Sequence, residues 1–471
     1  MITPYRSDIE RHLTTARWFA GKGRPFRVAG LRSAPVPGGD DGLELLVVLV
    51  EVEYLDASDG TEFYQLPVSV HAAPKEHLDQ AWIGRWDGRH AYDATHDRAA
   101  MAQWLRAFTL PEAAAIKGTP LRFHRCEATT EIDTSQRPAL MTAEQSNSSV
   151  AYGEELLMKL FRKVTPGANP DIQIHDVLTR AGSDHVAALH GWVDWETDDG
   201  EVIQLAMLQQ FLRTASDGWA LARSSARALF AEADLHAHEV GGDFAAEAAR
   251  LGQALAETHA TLAAQFPTEP LGTAGARALA DTMLARLDWA VEQVPALLPY
   301  ADRLRPRLAV VADVADAAGV RAQRIHGDLH LGQTLRTVKG WKLVDFEGEP
   351  ARPLHERSHP EPVWRDIAGM LRSFDYAAAV VQRELGGEGG ASDEQRAYRA
   401  EEWVERNRRA FLGAYIGGEL TAEQETLCNA FEADKAVYEC VYELRNRPDW
   451  ADIPLAAVAR LVASDAAAVA E

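Results

Sequence analysis

The chain has 471 residues, 46% of them apolar and 25% charged, enough for one large core or two or three smaller ones. Its formal net charge of −22 argues against a nucleic-acid partner, whose phosphates would be repelled, though Mg²⁺ and a few local cations can manage a triphosphate. No apolar tract reaches bilayer length, the start MITPYRSDIERHL lacks a secretory pattern, and Cys126, Cys428 and Cys440 form no CxxC pair; a reduced cytoplasmic setting without a membrane partner is expected.

Residues 1–95 are expected to form a β-rich cap. A short helix over 9–17 leads into the aromatic-basic run Trp18 to Arg24, and strands follow over 45–54 and 62–70, set off by turns at Pro37-Gly38-Gly39 and Asp59-Gly60. The Trp18 cluster reads equally as a binding surface and as a tryptophan packed beneath a turn.

Residues 96–211 are expected to form a small sheet-plus-helix subdomain. A linking helix over 97–110 precedes strands at 121–126, 139–145, 150–153 and 154–161, then a helix from Asn169-Pro170-Asp171 to about Gly182. Two further strands, 185–192 and 202–211, are separated by Asp198-Asp199-Gly200. Within strand 154–161, Lys159 sits among Leu157, Met158, Leu160 and Phe161. A lysine in so apolar a strand calls for an anion unless it snorkels from a sheet edge. Asp171, Gln173 and Asp176 all compete as its partner. Ser146-Asn147-Ser148-Ser149 is predicted as a polar turn, which either holds phosphate oxygens through Ser148 and Ser149 or is an ordinary hairpin turn. Gln209 and Gln210 fall where the chain would pass to a second lobe beside a nucleotide.

Residues 212–471 are expected to be mainly helical. Helices are predicted over 244–266, with Asp243 as cap, and over 276–294, 306–319, 366–385, 394–416, 422–444 and 455–469; a loop is expected at Gly386 to Gly390.

Between these helices lies RIHGDLHLGQTLRTVKGWKLVDFEGEP, from Arg324 to Pro350. Asp328 is the carboxylate that would orient a hydroxyl nucleophile, and Gln333 with Asp345 would hold Mg²⁺. The Val338-Lys339-Gly340 turn predicts a hairpin that brings Gln333 and Asp345 together. Glu347 is either a further metal ligand or a turn and ion-pair residue. The ordered set resembles the catalytic and metal loops of protein-kinase-like folds.

On 435–448, KAVYECVYELRNRP, Tyr438, Tyr442 and Arg445 share one helix face, as do Glu439 and Glu443. That is either a sugar-binding wall or a tyrosine pair with surface charges. The anomeric hydroxyl of a reducing disaccharide suits a single aspartate base.

HGDLHLGQTLR, LVDFEGEPARPL, RDIAGMLRSFDYAA, EQSNSSVAYGEELLMKLFRKVTPGANPDI and KAVYECVYELRNRPDW together resemble bacterial maltokinases, which share the fold of aminoglycoside and choline kinases. The resemblance implies an α+β, bilobal protein-kinase-like fold with a β-rich cap. It implies ATP-dependent, Mg²⁺-dependent phosphorylation of maltose to maltose 1-phosphate, feeding α-1,4-glucan synthesis from trehalose, with trehalose synthase a possible partner. Asp328 would be catalytic, Lys159 would contact ATP, His330 would face the sugar, and His326 and Asp366 would brace the catalytic loop. The alternatives are a related glucosamine kinase and a weakly catalytic scaffold.

Overall fold

The structure is a computed structural model that describes residues 3–39, 42–56, 60–111, 119–128, 131–141, 146–349, 352–386 and 391–468. The chain divides into two compact units, Met1–Arg180 with Ala187–Arg213, and Ala181–Val186 with Thr214–Glu471. Among the described residues no helix is long and apolar enough to cross a membrane.

In the first unit, valine- and leucine-rich alternation makes the long strands Leu43–Tyr54 and Thr61–His71, which pair antiparallel over their whole length. Phe26–Pro35 flanks them on one side, and Arg89–Asp93 with Trp82–Trp86 on the other. These three strands lack a strong apolar alternation, and sequence pattern alone did not mark them.

The second sheet runs in the order Leu121–Arg125, Leu189–Glu196, Val202–Gln210, Leu156–Phe161, Asn147–Tyr152, Pro138–Leu140. Helix Pro170–Arg180 follows its fourth strand in sequence, and Asn169 Oδ1 caps it by accepting the Asp171 N–H at 2.8 Å. The strand-helix order is the expected one, with two shifts. The strand predicted over 185–192 lies at Leu189–Glu196, because the His185 carbonyl accepts the Leu343 N–H in the second unit. The turn predicted at 146–149 is mostly strand: Asn147, Ser148 and Ser149 pair with Phe161, Leu160 and Lys159. Residues 142–145, the end of the strand expected over 139–145, lie outside the described residues, as do the glycine-rich residues 387–390.

Residues 1–95 enclose a core of their own, with Ile9, Leu13, Val50, Leu66, Val68 and Trp86 among its buried residues. A second buried cluster joins Val47, Leu49 and Trp104 to Leu121, Met158 and Leu205. Gln65 from the first sheet donates through Nε2 to the carbonyls of Phe161 (3.0 Å) and Leu205 (2.8 Å). Beside that separate core, packing also crosses the expected boundary near residue 95.

The second unit is helical around the long amphipathic helix Trp364–Leu385, buried on most of its surface. Ala245–Gln265 begins after Asp243, whose Oδ1 accepts the Ala245 N–H at 3.1 Å. Gly272–Gln293, Ala391–Ile416, Ala422–Asn446 and Asp452–Ala468 match the predicted helices within a few residues. The single helix expected over 306–319 is two, Leu298–Ala309 and Val311–Ala317, and Gly218–Ala231 was not anticipated. Thr334–Thr337 and Gly340–Leu343 form a hairpin across the Val338-Lys339 turn.

Candidate active site

The loop holding Asp328 rests on one face of helix Trp364–Leu385. Asp366, only 1% exposed, accepts the N–H of His326 at 2.7 Å on one oxygen and that of Gly327 at 2.8 Å on the other. Ser373, seven residues on, accepts the Leu331 N–H at 2.9 Å. Between them Gly369 lies so close to the loop that a Cβ built there would be 2.4 Å from the Leu329 carbonyl oxygen. Residues 366, 369 and 373 share one helix face, so the loop is held at three successive turns. Asp366 also accepts His259 Nε2–H at 3.0 Å, and the Tyr415 hydroxyl meets His259 Nδ1 at 2.8 Å. Burial alone would raise the Asp366 carboxyl, but the bond from His259 and the neighbouring donors hold it below the ordinary range.

His326 locks the loop from within. Its Nε2–H donates to the Val344 carbonyl at 3.0 Å, tying the loop to the end of the hairpin. The hairpin brings Gln333 and Asp345 together as its turn predicts: Gln333 Nε2 donates to Asp345 Oδ2 at 3.1 Å. Asp345 has φ 68°; among the described residues only Asp87 is another non-glycine with positive φ. A strained backbone at a candidate ligand is where such strain tends to concentrate. A carboxylate oxygen of Glu347 lies within 4.8 Å of one from Asp345. One amide and two carboxylates make an all-oxygen donor set, which suits a hard divalent cation such as Mg²⁺.

Asp328 opens onto a cavity of about 700 Å³ built within the second unit. Its walls include Tyr438, Glu439, Tyr442, Glu443 and Arg445, all from helix Ala422–Asn446, together with His330 of the loop that holds Asp328. The expected sugar-facing residues thus converge on one space. Tyr438 and Tyr442 stack with ring centroids 6.2 Å apart, and Tyr442 is 44% exposed, so the pair is no core pair. His330 also caps a short turn by accepting the Gly332 N–H through Nδ1, and burial lowers its pKa.

Sequence reasoning missed Trp219, Trp289, Tyr376 and Trp450, which add aromatic walls from distant segments. It also gave no role to Lys435 or Glu349. Lys435 lies three and four residues before Tyr438 and Glu439, a spacing that could have marked it.

The four carboxylates lining the cavity each have a basic partner. Lys435 Nζ is 3.6 Å from Asp328, and Arg365 donates to Glu349 at 2.6 Å. Arg372 donates to Glu439 at 2.8 Å. Arg447 donates to both oxygens of Glu443, at 2.6 and 2.8 Å, and Tyr376 donates to the same carboxylate at 3.2 Å.

In the first unit, Lys159 has its anion. Its Nζ lies 3.0 Å from Asp171 Oδ2, so Asp171 is its partner rather than Gln173 or Asp176. His175 approaches the other oxygen at 3.0 Å. Burial would raise the Asp171 carboxyl, yet Lys159 and His175 hold it far below the usual carboxylate range. Ser149 pairs with Lys159 across the sheet, while the Ser148 hydroxyl accepts Arg162 Nε–H at 2.8 Å. Gln209 and Gln210 end the strand Val202–Gln210, opposite Leu157 and Leu156.

Comparison with known proteins places these features in a family. Residues 12–97 match the maltokinase N-terminal cap domain, and residues 231–404 match the phosphotransferase enzyme family. A glucosamine kinase of Streptacidiphilus jiangxiensis is 31% identical over 324 residues, spanning 66% of this chain and 70% of that protein. One from Mycolicibacterium smegmatis is 29% identical over 339 residues, spanning 69% and 79%. The solved structure of a glucosamine kinase in complex with glucosamine, ADP and inorganic phosphate shares the fold, with TM-score 0.68 and 22% identity over 96% of this chain and 98% of that one. Asp328, Asp366 and the Gln333–Asp345 pair fall within the matched phosphotransferase region, and the cap-domain match precedes them in the sequence: the chain belongs to the phosphotransferase enzyme family, in a branch that carries a maltokinase N-terminal cap domain.

Proposed function

We propose that the chain is an ATP-dependent kinase of a neutral reducing disaccharide, maltose, and transfers phosphate to its anomeric hydroxyl. The observation that carries this reading is the cavity beside Asp328. Its volume of about 700 Å³ and its aromatic walls suit two stacked sugar rings. Its carboxylates are already neutralised by Lys435, Arg365, Arg372 and Arg447, so they favour hydrogen bonding to hydroxyls over capture of an ammonium group. The names of the two relatives support a second reading, glucosamine kinase, in which one of these ion pairs yields to the amino group.

In the reaction the anomeric hydroxyl donates to Asp328, which takes its proton as the O–P bond forms and the bond from the γ-phosphorus to the ADP oxygen breaks. Asp366 keeps the loop still during this step, since phosphoryl transfer depends mainly on positioning. Gln333, Asp345 and Glu347 would hold Mg²⁺, which when bound neutralises phosphate charge. Lys159, fixed by Asp171, would meet phosphate oxygens, with Ser148, Ser149, Gln209 and Gln210 as further nucleotide contacts. The 1-phosphate product is an activated glycosyl donor for α-1,4-glucan extension, and trehalose isomerisation would supply maltose; both rest on the resemblance to maltokinases.

The test is turnover of ATP with maltose, glucosamine and glucose, with the product read by ³¹P NMR. Maltose should be preferred and the phosphate should be anomeric. Phosphate on a 6-hydroxyl refutes the chemistry, and a preference for glucosamine selects the second reading. Asp328→Asn should lower kcat by about 10²–10⁴-fold.

A further inference from the structure

Lys435 stands at a junction that the reaction scheme leaves unused. It sits on helix Ala422–Asn446, one turn before the tyrosine and glutamate face that lines the sugar cavity. Its Nζ is 3.6 Å from Asp328 Oδ1, and both side chains are about a quarter exposed. The same ammonium lies 5.1 Å from the centre of the Tyr438 ring, which supports it from one side.

The other two basic side chains of the cavity from this helix and its end are committed elsewhere. Arg445 donates to Gln293 at 3.0 Å and stacks on Trp289, while Arg447 is bonded to Glu443. Lys435 is the one paired with Asp328.

The groups facing Asp328 come from three elements. His326 and His330 belong to its own loop, Arg357 to the short helix Leu354–Arg357, and Lys435 with Tyr438 to helix Ala422–Asn446. Among the described residues, Lys435 is the lysine that reaches Asp328 from the wall against which the sugar would stack.

We propose that Lys435 is the positioning residue of Asp328: its ammonium holds the carboxylate turned toward the acceptor hydroxyl. This rests on the reading of Asp328 as the proton acceptor. A carboxylate held beside a fixed cation is aimed before substrate arrives. The link also joins sugar wall to base: a ring stacked on Tyr438 lies against the residue that orients Asp328.

The experiment compares Lys435→Met, Lys435→Gln and Lys435→Arg in the full chain, using whichever sugar the wild type phosphorylates. Lys435→Met and Lys435→Gln should lower kcat by about 10–10²-fold, a part of the full general-base contribution, with KM for the sugar changing less than about threefold. Lys435→Arg, which keeps the charge, should recover most of the rate. A raised KM with kcat unchanged would make Lys435 a sugar contact and overturn the proposal. So would a loss of kcat that comes with lost thermal stability and that Lys435→Arg does not recover. The ¹³C chemical shift of the Asp328 side-chain carboxylate at fixed neutral pH, assigned against Asp328→Asn, needs no turnover. An unchanged signal in Lys435→Met and Lys435→Gln overturns the proposal even if the sugar assignment is wrong, and a changed one supports it even then.

Discussion

Gly369→Ala tests whether the loop holding Asp328, the proposed base, is as tightly seated as its contacts imply. On helix propensity alone, replacing an interior glycine by alanine should stabilise by about 0.5–1 kcal/mol. Here the new Cβ would meet the Leu329 carbonyl oxygen at 2.4 Å, whereas real contacts essentially never fall below 3.0 Å, so the two must part by at least 0.6 Å. The obstacle is backbone and cannot swing aside. It belongs to the residue after Asp328, in a loop tied to the same helix through Asp366 and Ser373. Overpacking of this kind costs about 1–3 kcal/mol, which outweighs the propensity gain. A displacement approaching 1 Å at a reacting group costs on the order of 10²-fold in rate. Gly369→Ala should therefore melt lower than wild type and lose about 10–10²-fold in kcat, with KM for ATP little changed. Gly413→Ala is the matched control: its nearest neighbour would be 3.8 Å away, so it should be neutral or slightly stabilising. ADP release in a coupled assay and thermal unfolding measure both effects. A Gly369→Ala protein with wild-type kcat and a raised melting temperature would refute the claim that the helix face sets the loop.

Asp171→Asn breaks a buried pair and should destabilise by about 3 kcal/mol at pH 7, with KM for ATP rising more than KM for sugar. The folded Asp171 carboxyl lies far below its ordinary value, so its stabilisation is complete above the unfolded pKa of about 3.9 and is lost gradually as pH falls from there toward the folded value; the gap in melting temperature between wild type and Asp171→Asn should narrow between about pH 5 and about pH 3 without closing. A gap of constant size over that range would show that charge is not its origin. Tyr438→Ala should raise KM for the sugar by about 5–100-fold, the loss of one ring contact worth about 1–3 kcal/mol, while KM for ATP stays within twofold. Equal changes in both would mean the ring is only structural. His259→Ala leaves Asp366 short of one donor and should lower kcat by about tenfold, with His259→Gln recovering part of it; wild-type kcat in both would sink the relay from Tyr415.

What the sequence determined by itself is local. The meeting of Gln333 with Asp345 was legible because a two-residue turn joins two short strands, and backbone pairing over a dozen residues then brings the two side chains together. Lys159 was legible because strand alternation puts a charge where only apolar side chains belong, which requires an anion nearby. The helix start at Asn169-Pro170-Asp171 followed from capping chemistry.

The tertiary structure decided whatever depends on segments meeting from far apart in the chain. It chose Asp171 for Lys159, since burial and distance distinguish residues that are equivalent in the pattern of one helix. It turned Ser148 and Ser149 from a turn into a paired strand, because the partner strand, not local polarity, fixes where a hairpin bends. It brought Trp219, Trp289 and Trp450 to the wall begun by Tyr438 and Tyr442, and it matched each cavity carboxylate with a cation from another turn or helix. Hydrogen bonds along a few residues set the motif. Side-chain packing over hundreds of residues set the shape and charge of the site, and no short stretch encodes that by itself.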